Sequence, residues 1–126
     1  MAPSEAELEK IIDAHDARNS ALRQIFVEKH VDLTEPRLIE CHFWARNEKD
    51  SAALAQDLTR LGFTVTALGP ANSSNNPDLW NIETAIQQSI ELMIRREFTG
   101  ELARAAARHS GKFDGWGTAL SNGSRT

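Results

Sequence analysis

Apolar side chains along residues 5–29 recur at helical spacing, with Leu8, Ile11, Ile12, His15, Leu22, Ile25 and Phe26 forming a stripe. Ser4 and Glu7 precede them at the separation of a capping box, so a long amphipathic helix is expected there. Its middle, Asp13 to Asn19, is poor in apolar residues and predicts a kink or looser docking. Such a helix must bury its stripe on something, and the body of the same domain is the favoured choice over a second copy. Val31 to Pro36 reads as a connector, because proline lacks an N–H and biases the residue before it towards extended geometry. From Arg37 to Arg46 the period changes to two. Ile39, Cys41, Phe43 and Ala45 fall on one side, and Leu38, Glu40, His42 and Trp44 on the other. Asn47 then caps a helix expected over 48–61, carrying Leu54, Leu58 and Leu61 and stopping at Gly62. Alternation returns at Phe63 to Leu68 and again at Leu79 to Gln87. Between them, the glycine, proline, asparagine and serine residues of Gly69 to Asp78 predict a mobile loop. Ser89 caps a single long helix bearing Ile90, Ile94, Phe98, Leu102, Ala105, Ala106 and His109, with Gly100 marking a close helix–sheet contact and Ser110-Gly111 as its end. Lys112 to about Leu120 completes the pattern as a last strand.

After the leading helix the order is strand, helix, strand, strand, helix, strand. That order predicts an α+β fold of the ferredoxin-like split βαβ kind (βαββαβ), a four-stranded antiparallel sheet with two helices on one face. Three parts are expected: residues 1–36 as N-terminal helix and connector, 37–120 as the ferredoxin-like domain, and 121–126 as a flexible tail. If Ile39, Cys41, Phe43, Phe63 and Val65 meet the helices, then Glu40, His42, Trp44, Thr64 and Thr66 face away. Trp116, set between Gly115 and Gly117 after Asp114, admits two readings: a core plug whose glycines make a bulge, or a surface anchor shared with Asp114.

The chain's 126 residues suit one domain with one core. A net charge of −4, with basic residues scattered, leaves no electrostatic footprint for DNA and argues against direct RNA binding. The lone Cys41 excludes an internal disulfide, and the absence of a secretion signal or a long apolar run points to a cytoplasmic chain away from membranes, monomeric or homodimeric. Cys41 and His42 are adjacent on a strand and point to opposite faces, so a shared metal is not expected. No phosphate-binding glycine loop, GxSxG or HExxH occurs. Neither cofactor nor catalysis is therefore expected, although an enzyme would need a pocket gathering Asp114, His42 or His109, and a ferredoxin-like sheet could also serve as a small-ligand or RNA module.

The segment AARHSGKFDGWGT, residues 106–118, resembles the last helix turn and Asp-Gly-Trp-Gly-Thr strand of the regulator of ribonuclease E activity B (RraB) family, also described as ribonuclease E inhibitor B domains. LTRLGFTVTAL at 58–68 and LWNIETAI at 79–86 are similar to that family's second helix with second strand, and to its third strand. The likeness covers about residues 37–120. It implies a ferredoxin-like bacterial protein that binds ribonuclease E and restrains RNA processing without chemistry of its own. The family is usually more acidic, often ends in an acidic tail, and carries Tyr where Phe113 stands. The residues expected to meet a protein partner are Glu40, His42, Trp44, Asp114 and Trp116, with the two indoles as anchors and the charged groups setting polarity around them.

Overall fold

The structure is a computed structural model that describes residues 3–72 and 78–119. The centre of the loop expected over 69–78 and the tail expected over 121–126 lie outside the described residues. Helix α1 spans Glu5–Glu28, and the reciprocal Ser4–Glu7 capping box satisfies its first amides. Strand β1 (Arg37–Ala45) leads through Asn47, which accepts from the Asp50 amide, into α2 (Glu48–Arg60), and then come β2 (Thr64–Pro70) and β3 (Trp80–Gln88).

The single helix expected after Ser89 is divided. One capped turn, α3 (Ile90–Met93), ends at Ile94, Arg95 is extended (φ −65°, ψ 135°), and α4 (Arg96–Arg108) starts afresh. Packing accounts for the break. Ile90 and Met93 are fully buried, and the Glu91 amide donates to the Leu33 carbonyl, so this turn is fixed against the connector, while Leu102, Ala105 and Ala106 follow a different line over the sheet. The C-terminus of α4 closes with Ser110 at φ 56°, and the Gly111 amide reaches the Ala106 carbonyl at 2.8 Å. Strand β4 (Lys112–Thr118) follows.

The four strands form one antiparallel sheet in the order β2-β3-β1-β4. Its buried face carries Ile39, Cys41, Phe43, Ala45, Ile82, Phe113 and Trp116, which pack with Leu54 and Leu58 of α2 and Leu102, Ala105 and Ala106 of α4. Thr84, also buried there, satisfies its hydroxyl on the Cys41 carbonyl at 2.9 Å. A bulge lies in β2 between Val65 and Ala67. Unbroken alternation would keep Ala67 with Val65; instead Ala67 pairs with Glu83 and Leu68 with Ile82, so the two exchange the faces expected of them.

Helix α1 docks on the body of its own domain, against α4 and β4. Leu8 and Ile12 pack on Ala103 and Ala107 as a small separate cluster, and Phe26 joins the main core. Gly100 faces Ile12 of this helix, so the close approach it marks is helix to helix and not helix to sheet. Arg96 bonds Glu9, Asp13 and Asp16, and Arg104 bonds Glu5, along the exposed seam. These pairs hold the Arg96 proton more tightly than an ordinary guanidinium, first through Asp13 and then Asp16. On the far side of α4, the His109 ring bonds the Asp57 carboxylate of α2 at 2.6 Å, and that bond keeps the carboxyl below its usual value. A tie between helices, more than a helix-end charge effect, is the role of His109.

Candidate partner-binding face

Trp116 is not on a surface. Opposite Cys41 on β4, it is 5% exposed, and its indole lies 6.1 Å from the Phe26 ring. Its Nε1–H donates to Asn19 Oδ1 at 2.8 Å, and Asn19 Nδ2 donates in turn to Thr99 Oγ1 at 3.3 Å. A buried indole N–H needs an acceptor, and the apolar-poor middle of α1 supplies it. The surface-anchor reading of Trp116 is thereby corrected: the residue is a core side chain that fastens α1 to β4 and α4. Neither Asn19 nor Thr99 was expected from the sequence to have this role.

The bulge between Phe113 and Gly115 does have a surface consequence. His42 is opposite Gly115 and Phe43 is opposite Phe113, so Asp114 is the extra residue. Gly115 adopts φ +126°, a conformation that side-chain-bearing residues rarely adopt. Asp114 is consequently thrust to the sheet edge. From there it lines a hollow with His42, Asn81 and Glu83 and, behind the strand, a groove with His15 and Arg18.

No helix among the described residues covers the outward face of the sheet. Leu38, Glu40, His42 and Trp44 stand in a row on β1, opposed by Gln87, Ala85, Glu83 and Asn81 on β3. Leu38 is 56% exposed, and His42 and Trp44 are half-buried. At the centre, His42, Asn81, Glu83 and Asp114 surround a hollow of about 180 Å³ above Phe43 and Ile82. Four of the expected partner residues, Glu40, His42, Trp44 and Asp114, thus occupy one face and its rim. Glu83 belongs with them and was missed; its cross-strand register with His42 is invisible until β1 and β3 are paired.

Chemistry elsewhere is sparse. The Cys41 thiol is buried, 4.0 Å from Met93 Sδ, and burial pushes its pKa up to about 12, which removes the thiolate needed for nucleophilic attack. His15 stacks on Phe113 with ring centroids 4.7 Å apart and donates from Nε2 to the Phe113 carbonyl at 3.1 Å. Burial chiefly lowers its pKa, against the raising influence of that hydrogen bond. Among the described residues no three His, Cys, Asp or Glu side chains gather as metal ligands, and no helix is long and apolar enough to cross a membrane.

Compared with known families, residues 15–118 match the family model described as RraB, regulator of ribonuclease activity B. The chain belongs to that family. As an RraB family member it is a regulator of ribonuclease activity, and the matched span runs from His15 in mid-α1 to the last residue of β4, so it contains the Asn19–Trp116 fastening and the whole open face. No curated protein matches the chain.

Proposed function

We propose that the chain is a non-catalytic regulator that binds a ribonuclease, by family resemblance ribonuclease E, in the cytoplasm, and that its binding surface is the open face of the sheet. The observation that carries this reading is the unspent state of that face. Glu40, His42, Trp44, Glu83 and Asp114 make no side-chain hydrogen bond or ion pair with other described residues, whereas Glu5, Glu9, Asp13 and Asp16 of α1 are engaged by Arg96 and Arg104. A row that combines an indole, an exposed leucine and unpaired charged groups has the composition of an interface: an aromatic anchor within a polar rim.

The fold reading supports the same conclusion. Taken from its other edge, the sheet runs β4-β1-β3-β2, with α2 between β1 and β2 and α4 between β3 and β4. We read this order as that of a ferredoxin-like split βαβ domain, in which the helices occupy one face and leave the other free. The protonated Cys41 thiol supports binding over covalent chemistry.

Affinity capture of the chain from the cell that makes it, with mass spectrometry of what co-elutes, tests the proposal. A ribonuclease retained by wild-type protein and lost with Trp44→Ala, with the cooperative fold retained at the capture temperature, is the expected result. Equal retention by both proteins would remove the open face from the account.

A further inference from the structure

The charge on the open face narrows the kind of partner it fits. Glu40, Glu83 and Asp114 stand around His42, and Lys112 is the only Lys or Arg paired opposite this row among the described residues. Arg18 approaches β4 from the helix side, beneath Gly115. A sheet face with three carboxylates and one ammonium presents negative potential to anything that lies across it, and phosphate backbones are repelled. The hollow concentrates this. Glu83 and Asp114 form opposite walls, Phe43 and Ile82 the floor, and at roughly 30 Å³ per water its 180 Å³ has room for the end of one long side chain with solvent around it. Trp44 stands opposite Asn81, a lining residue, which puts an indole one rung from the opening.

We infer that this face receives a basic segment of the protein partner, with an arginine seated in the hollow between Glu83 and Asp114 and the segment continuing over Trp44. This inference rests on the partner-binding reading above. Arginine fits better than lysine on two counts. Its planar fork can donate to two carboxylates at once, and its guanidinium stacks on an indole, whereas an ammonium is a compact, strongly hydrated point charge. Glu5, Glu9, Asp13 and Asp16 of α1 offer no competing site of the same kind, because Arg96 and Arg104 already occupy them.

The test uses the full chain, isotope-labelled for amide NMR, and two short synthetic peptides sharing one apolar frame, one bearing arginines and the other glutamates at the same positions. The arginine peptide is expected to shift amides around Glu40, His42, Glu83 and Asp114, and to bind more weakly as salt rises. Affinity should fall about fivefold or more in the double variant Glu83→Gln with Asp114→Asn. Both side chains are exposed, so the variant should keep the wild-type melting temperature, and Trp44→Ala provides a second weakened variant. Equal binding of the two peptides, shifts confined to α1, or an undiminished affinity in the double variant would overturn the inference. The outcomes also separate the two readings. A ribonuclease captured equally by wild type and double variant leaves the regulator in place without the arginine site. Arginine-peptide binding with no ribonuclease captured leaves the site without the proposed partner.

Discussion

Trp116 links most of the molecule's parts through one side chain. Its ring fills the core between Cys41 and Phe26, and its N–H closes a buried chain of hydrogen bonds through Asn19 to Thr99. Truncation to alanine opens a cavity as well as losing contacts, so Trp116→Ala should cost about 3–5 kcal/mol in denaturant unfolding. Asn19→Ala removes only the acceptor and strands the indole N–H, which should cost about 1–3 kcal/mol. A surface Trp116 would show a small effect in the first case and none in the second. The glycines separate in the same way. A Cβ on Gly111 would overlap the Trp44 carbonyl oxygen, which is backbone and cannot move aside, whereas a Cβ on Gly69 meets nothing within 4 Å. Gly111→Ala should therefore lose about 1–3 kcal/mol by overpacking, with Gly69→Ala near neutral. At Gly115 a Cβ would meet the mobile end of Arg18, so the penalty for Gly115→Val comes from φ +126° and should be about 1–3 kcal/mol.

Helix α1 is the element whose attachment depends most on polar contacts. Its apolar anchorage consists of Leu8 and Ile12 at one end and Phe26 at the other, and between them His15 and Asn19 bind β4 through hydrogen bonds. His15 favours its neutral form in the folded state, so the stability it contributes is complete above its ordinary value of 6.5 and is lost as pH falls through the lowered folded value. Protection factors of the α1 amides, corrected for the intrinsic slowing of exchange in acid, should accordingly fall below about pH 6.5 before those of the sheet do, and His15→Gln should flatten that dependence. Uniform protection of α1 and β4 across this range would contradict it. Much of this helix was legible in sequence, including the capping box and both apolar ends. The middle was not. Leu8, Ile12, His15, Asn19, Leu22 and Phe26 follow alternating steps of four and three, so a single stripe runs the whole length, but polar residues within it read as a gap because their partners, Phe113 and Trp116, lie nearly a hundred residues away. The divided helix at Ile94–Arg95 was hidden for a similar reason. Its cause is the anchoring of Ile90, Glu91 and Met93 to distant parts of the chain, and no proline or glycine marks the position.

At the scale of the whole molecule, the decisive fact is where the helices are not. Helices α2 and α4 cover one face of the sheet, and α1, long enough to have lain across the other, is spent against α4 and β4. Alternation along β1 sufficed to expect Glu40, His42 and Trp44 on an uncovered face, since one buried side fixes the other. Glu83 and the hollow depended on cross-strand register and on the bulge at Asp114, which local pattern does not carry. A regulator working by contact through this face should lose its effect when the face is altered and keep it when the opposite side is. The most direct measurement is ribonuclease E activity titrated with the purified chain, wild type against Trp44→Ala and against Asp57→Asn on the helical side. Wild type and Asp57→Asn should restrain cleavage at similar concentrations, while Trp44→Ala, still folded at the assay temperature, should require about tenfold more, in keeping with a hot-spot loss of more than about 1 kcal/mol. Equal restraint by all three proteins, or a loss confined to Asp57→Asn, would contradict it.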